Sequence, residues 1–161
     1  MSDKIIPCIW YDLGQAKKAA EFYVSLGLPD SRIERVVASP ADNPSSPEGS
    51  ELVVEFTLAG RRYVGLNGGP NFPQTEAVSF MIMTDDQAET DRYWNAVTTN
   101  GGAELPCGWC RDRWGFTWQI TPLRLLELIN GADRAAGRRA MEAMMTMKNI
   151  DIAAIERAAA G

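Results

Sequence analysis

The sequence predicts an α+β fold built from two similar units in tandem and followed by C-terminal helices. The order of strand, helix and glycine-closed strand group occurs twice, once up to about residue 70 and once over residues 77–122. The strand segments alternate with a period of two, whereas the helix segments repeat apolar residues at spacings of three and four. Residues 123–161 carry helical patterns alone.

The composition of the 161-residue chain excludes several classes of function. The chain holds no histidine, so no His general base, His-containing triad or His metal ligand is available. Its net charge of −5, with dispersed Lys and Arg, argues against nucleic-acid binding. Three cysteines, no visible signal peptide and no apolar run near the roughly 20 residues of a membrane span predict a cytoplasmic protein without a membrane partner.

The first unit is predicted to contain four strands, at residues 5–11, 31–39, 51–58 and 61–67. Pro7 lies inside the first of these segments and favours an edge strand. Asp12 precedes a helical pattern that Gly27 ends. Ala59-Gly60 is a turn signal between two alternating segments and predicts a hairpin. The helix is expected to bury Ala16, Ala19, Ala20, Tyr23 and Leu26.

The second unit repeats this order, with strands predicted at residues 77–84, 103–107, around 109 and 116–121. Asp86 and Glu89 have the spacing of a capping box, which predicts the start of a helix. That helix is expected to end at Asn100-Gly101-Gly102. Its predicted buried face consists of Thr90, Tyr93, Trp94 and Val97.

Pairing of the two units would bury the apolar sheet that each leaves open. The paired domain is predicted over residues 1–122, with units at about 1–70 and 77–122. The alternative is a single α+β domain whose halves are similar by chance. Residues 123–161 are predicted to form a helical tail, whose methionines suit packing on the chain's own domain or on a partner subunit.

Short motifs over nearly the whole chain carry a resemblance to a known family. They include Asn67-Gly68-Gly69-Pro70, Cys107-Gly108-Trp109 and Trp118-Gln119-Ile120. The chain resembles the PhnB-like branch of the glyoxalase/bleomycin resistance (vicinal oxygen chelate) superfamily, a branch often labelled 3-demethylubiquinone-9 3-methyltransferase. This resemblance implies two tandem βαβββ units whose curled mixed sheets form a pocket.

The resemblance also bears on metals, because enzymes of this superfamily commonly hold a divalent metal with His and Glu. The matching positions here are near Ile5, near Val64, at Ser79 and at Gln119. None of them is a carboxylate or an imidazole, so no metal and no cofactor are predicted. The methyltransferase label finds no support in the sequence, which shows no alternating β and α elements around a glycine-rich phosphate loop.

Glu55 is the first candidate for chemistry. By alternation it lies on the face opposite Val54 and Phe56. If that apolar face packs on helices, Glu55 points into the concave pocket. A partly buried carboxylate there could have a raised pKa and act as a base, or could bind a cationic ligand. The alternative is a solvated strand face or an ion pair with Arg61 or Arg62.

Cys107 is the second catalytic candidate, since it lies beside Trp109 and a predicted turn. With Cys110 it forms a CxxC motif, which could be a redox pair. Redox pairs of this kind normally begin a helix, and this one precedes a strand, so incidental thiols are the favoured alternative.

The remaining predicted ligand contacts are polar or aromatic residues. Alternation places Ser79 and Gln119 on the face expected for Glu55, where they could bind a ligand or simply form the polar lining of an open sheet. Tyr11 and Asn67 fall near strand ends, where pocket mouths often lie. The complete predicted set is Tyr11, Glu55, Asn67, Ser79, Cys107, Trp109 and Gln119.

Three functions stay open at this point. The favoured one is a metal-free protein that binds a small-molecule ligand and works as a homodimer. The second is an enzyme (a lyase, isomerase or transferase), either metal-assisted through Glu55, Gln119 and Asn67 or metal-free through Glu55 or Cys107. The third is an interaction module whose working surface is the methionine-rich tail. The sequence does not identify the ligand, because fold does not imply function.

Overall fold

A computed structural model describes residues 4–161 and divides between Gln74 and Thr75 into two units. The first unit contains β1 Cys8–Tyr11, α1 Ala16–Ser25, β2 Arg32–Ala38, β3 Glu51–Leu58 and β4 Arg61–Asn67. The second contains β5 Ser79–Thr84, α2 Gln87–Thr98, β6 Ala103–Glu104, β7 Trp109–Arg111, β8 Thr117–Pro122, α3 Leu123–Asn130, α4 Arg134–Met144 and α5 Ile152–Ala160. The predicted α+β class, with two βαβββ units and C-terminal helices, is confirmed.

The first unit has one mixed sheet in the order β1-β4-β3-β2. β1 is an edge strand, as Pro7 predicts, because a proline nitrogen has no hydrogen to donate to a neighbouring strand. It runs parallel to β4. The Pro7 carbonyl accepts a hydrogen bond from Val64 N at 2.9 Å and extends this pairing beyond β1. β3 and β4 form the predicted antiparallel hairpin around Ala59-Gly60.

One face of this sheet packs on α1. The five residues predicted to face the core are all buried. The helix lies against β3, whose Val54 and Phe56 are 0% and 1% exposed. The helix begins at Ala16, four residues after Asp12. The Asp12 carboxylate accepts from Leu13 N instead, and Ala16 N at the start of the helix donates to Asn67 Oδ1.

The second unit has a sheet in the order β5-β8-β7-β6, in which β5 and β8 are parallel. The capping box at the start of α2 is confirmed, since Glu89 N donates to Asp86 Oδ1 at 2.8 Å. The return bond comes from Asp85 N to Glu89 Oε2, one residue earlier than in the standard motif. The four residues predicted for the buried face of α2 are all buried.

The three C-terminal helices pack within the second unit. Their core consists of Leu125, Met144, Ile150 and Ile155. The loop before β7 is fixed to the connector between α4 and α5, because Cys107 N donates to Met147 O at 2.8 Å and Gly108 N to Lys148 O at 2.7 Å. Contact of the helices with a partner subunit stays a prediction. None of the helices within residues 4–161 has the length and apolar content to span a bilayer.

Candidate functional site

The candidate site is the open face of the second sheet. Met81 of β5 lies directly opposite Gln119 of β8, which in turn lies opposite Trp109 of β7. Residues opposite one another on neighbouring strands share a face, so these three side chains form one row. The next residues along, such as Trp118 and Cys110, point to the other face, which α2 covers. Met81 is 48% exposed and leaves an apolar side chain on the edge strand β5 uncovered.

A second row on the same face is polar and consists of Ser79, Thr117 and Arg111. Gln119 Nε2 donates to Ser79 Oγ at 2.8 Å and joins the two rows. The Thr117 side chain is fully buried, yet its hydroxyl has no hydrogen-bond partner anywhere in residues 4–161. Buried hydroxyl groups are nearly always hydrogen-bonded, so this oxygen is one that a bound molecule or a water is expected to contact.

A shallow groove of about 360 Å³ continues this face towards the loop before β7. It is lined by Glu76, Leu105, Pro106, Cys107 and Trp109. Cys107 has a left-handed backbone with φ of 64°, which is uncommon for a residue other than glycine. Glu76 is held 3.6 Å from Arg111, so both charges at this edge are paired.

Four of the seven predicted ligand contacts therefore lie together. Cys107 and Trp109 line the groove, Trp109 is opposite Gln119, and Gln119 binds Ser79. Sequence reasoning missed Thr117 as part of the site. The alternation of residues 116–121 places Thr117 on the face of Gln119, but its lack of a partner depends on the tertiary structure.

Glu55 lies in the first unit and is bound by two arginines. Arg35 Nη2 is 2.6 Å from Glu55 Oε1, and Arg62 Nη2 is 3.9 Å from Oε2. The hydrogen bond from Arg35 lowers the pKa of Glu55 and outweighs the opposing effect of burial. The expectation of a raised pKa is therefore wrong, because the sequence gives no sign that β2 would bring Arg35 opposite Glu55.

Replacing Glu55 by glutamine is expected to flatten the acid dependence of unfolding. Because the folded pKa lies below the ordinary value of 4.5, the carboxylate stabilises the fold above that pH. This contribution is lost as the pH falls through the folded pKa. Urea unfolding should show a small loss of stability for E55Q at neutral pH, since largely exposed ion pairs contribute little. The two unfolding curves should converge in acid, and a constant gap would contradict the assignment.

Tyr11 and Asn67 are core residues of the first unit, which corrects the expectation that they lie at a pocket mouth. Both are almost fully buried. The hydroxyls of Tyr11 and Tyr23 are 3.0 Å apart. Asn67 Oδ1 accepts from Ala16 N at 2.9 Å, and its Nδ2 donates to the Glu51 carbonyl at 3.0 Å. Asn67 thus joins α1 to β3, and its side-chain hydrogen bonds stabilise the fold.

Cys110 is unsuited to dithiol chemistry. Its side chain is fully buried under the sheet, and burial, with a further contribution from Asp112, raises the pKa of its thiol to about 12. The thiolate is the reactive form, so Cys110 is inert at neutral pH. This favours the interpretation of the CxxC motif as incidental.

The side chains that the resemblance matches to metal ligands offer no carboxylate or imidazole. Ser79 and Gln119 are a hydroxyl and an amide that bind one another, and the other two positions lie near the apolar residues Ile5 and Val64. Nowhere in the described part of the chain do three Cys, Asp or Glu side chains gather as a metal site requires. Zinc needs nitrogen, sulfur or carboxylate ligands, and hard cations need several oxygen ligands.

The two βαβββ units, each with an edge strand parallel to its neighbour, define a glyoxalase-like α+β protein. Residues 3–121 match the family described as 3-demethylubiquinone-9 3-methyltransferase. The chain belongs to this family, and its resemblance to the PhnB-like branch of the glyoxalase/bleomycin resistance superfamily is confirmed. No curated protein matches the chain.

Solved structures agree with this assignment. The PhnB protein from Bacillus cereus is 26% identical, with a TM-score of 0.65 over 74% of this chain and 99% of that one. The protein PA1353 from Pseudomonas aeruginosa is 18% identical, with a TM-score of 0.58 over 75% of this chain and 98% of its own, and is similar in fold alone.

Proposed function

We propose that this protein binds a small organic molecule on the open face of its second sheet, without the aid of a metal. The observation that carries the proposal is the buried Thr117 hydroxyl, which has no partner within the described residues and is the diagonal neighbour of the uncovered Met81 on the same sheet face. A ligand that contacts both would satisfy the hydroxyl and cover the apolar surface.

The chemistry of this face suits a largely apolar, uncharged ligand that carries a hydroxyl, carbonyl or amide group. Met81 and Trp109 offer apolar contact. Gln119 uses its Nε2 on Ser79, and its Oε1 can accept from a ligand. The charges of Arg111 and Glu76 compensate one another, so a charged ligand gains little here.

A catalytic role for Glu55 is not favoured. The lowered pKa of Glu55 makes it a weak base at neutral pH. The methyltransferase name of the family gains no support from the Gly68-Gly69 pair, because Trp10 occupies the space beside it and donates to the Gly69 carbonyl at 2.7 Å. We therefore propose binding as the function. The homodimer and the cytoplasmic location stay predictions from the sequence.

Replacing Thr117 by valine tests the site and is expected to raise stability while weakening ligand binding. Valine keeps the shape of threonine and removes a buried hydroxyl without a partner, so the free energy of unfolding should rise by about 1 kcal/mol. Thr84→Val is the matched control, since the Thr84 hydroxyl is equally buried but lies 2.7 Å from that of Thr90. T84V should lower the free energy of unfolding by about 1 kcal/mol.

Binding is measured by NMR with a panel of neutral aromatic alcohols, phenols and amides. Fragments should shift the signals of the Trp109 indole and the Met81 methyl group, and T117V should weaken these shifts whereas T84V should not. Fragments that shift only residues outside this face, or that bind T117V as well as the parent chain, would overturn the proposed function.

A further inference from the structure

A groove in the first unit combines three cationic side chains with an apolar floor. Its volume is about 400 Å³, and it is lined by Lys4, Ile5, Pro7, Arg61, Arg62 and Tyr63. It forms where residues 4–7 run beside the start of β4, a position fixed by the hydrogen bond from Val64 N to the Pro7 carbonyl. Its residues are all different from those of the candidate site on the second sheet.

The positive charge of this groove is only partly compensated. Arg62 lies 3.9 Å from Glu55, and its charge also acts on Glu34. Lys4 and Arg61, by contrast, form no ion pair with any of the described residues. The chain as a whole has a net charge of −5, but these two cations give this concave surface a positive charge. A positively charged groove favours the binding of an anion.

The floor of the groove is apolar. Ile5 is 88% exposed, and Pro7 is also exposed beside it. The half-buried ring of Tyr63 stacks on Phe56, with centroids 5.6 Å apart and planes at 19°, so its position is fixed by the core. Arg61 and Tyr63 are two positions apart on β4, so they share a face of the strand, and both line the groove. The Arg61 side chain therefore lies next to the apolar surface of the groove.

We propose that this groove binds a small organic anion, with its carboxylate or phosphate group on Arg61 and Lys4 and its apolar body on Ile5, Pro7 and Tyr63. The guanidinium of Arg61 can donate two parallel hydrogen bonds to such a group, and the Lys4 ammonium adds a second positive charge. The apolar body covers Ile5, which is otherwise open to water.

Isothermal titration with phenyl phosphate tests this site. The parent chain should bind phenyl phosphate more tightly than inorganic phosphate. Arg61→Ala should weaken binding by at least about tenfold, because a charge-assisted hydrogen bond is lost. Lys4→Ala, which changes a residue outside the helices and strands, should weaken it by a smaller factor. Arg134→Ala is the matched control, since Arg134 is also exposed and outside every ion pair of the described residues.

Equal binding by R61A and the parent chain would overturn the proposal, as would an equal loss in R134A, which would indicate a general effect of net charge. Inorganic phosphate that binds as tightly as phenyl phosphate would overturn the role of the apolar floor. Benzoate in place of phenyl phosphate distinguishes carboxylates from phosphates as the preferred anion, and binding of either supports the site. T117V should leave all these titrations unchanged, so this proposal and the proposed function fail separately.

Discussion

Replacement of Gly68 by alanine is expected to lower the free energy of unfolding by about 3 kcal/mol. An added Cβ would lie 2.2 Å from Cζ2 of the Trp10 ring. That ring cannot move aside freely, because its Nε1 donates to the Gly69 carbonyl at 2.7 Å and Phe72 packs edge-on against it with centroids 4.9 Å apart. The alanine therefore has to displace Trp10 and break both contacts.

Gly69→Ala is the matched control for this substitution. Gly69 has a φ of 94°, but an added Cβ would meet nothing within 4 Å. Its cost is then backbone strain alone, about 1 kcal/mol. Urea unfolding followed by tryptophan fluorescence measures both variants. If G68A is no less stable than G69A, the close contact with Trp10 does not hold the Asn-Gly-Gly segment in place.

Replacement of Asp112 by asparagine is expected to lower the free energy of unfolding by about 2–3 kcal/mol. Asp112 is buried, and its Oδ1 accepts from Trp114 N at 2.9 Å and from Phe116 N at 3.0 Å. Its Oδ2 accepts from Trp118 Nε1 at 3.0 Å. An asparagine side chain has one acceptor oxygen, and its NH2 group cannot accept. Whichever way the amide is oriented, either the two turn N–H groups or the Trp118 indole N–H loses its acceptor.

A double-mutant cycle isolates the contact between the carboxylate and the indole. Trp118→Phe removes the indole N–H, so D112N in the W118F background should cost about 1–2 kcal/mol less than D112N in the parent chain. Additive costs would show that Asp112 acts only through the turn. Because this turn joins β7 to β8, it also fixes the pairing of Trp109 with Gln119, and D112N should weaken fragment binding at the candidate site.

Most of the first unit could be predicted from the sequence because its signals are local. The alternation of residues 51–58 and the turn at Ala59-Gly60 depend on residues adjacent in the chain, and the hairpin follows from them. The same holds for the capping box of Asp86 and Glu89, whose bonds join residues three and four positions apart. The start of α1 was not set by a local signal. The helix begins at Ala16, whose N–H donates to Asn67, 51 residues further along the chain.

The candidate site was predictable only in part. Alternation placed Ser79 and Gln119 on open faces of their strands, and the structure adds that they bind one another. The role of Glu55 was not predictable, because its pKa depends on Arg35, which β-sheet register brings opposite it from 20 positions away. Tyr11 and Asn67 are near strand ends, as expected, but a strand end that meets a helix is part of the core.

The sequence by itself determined the class of fold, the order of the two βαβββ units and the lack of histidine for metal binding or catalysis. These follow from residue types and from spacings of two to four positions, which act within one strand, turn or helix. Only the tertiary structure decided which polar groups have partners. Hydrogen bonding and burial depend on strand register and on packing between distant segments. Only the folded structure therefore shows that, within residues 4–161, the Thr117 hydroxyl has no hydrogen-bond partner and Lys4 and Arg61 form no ion pair.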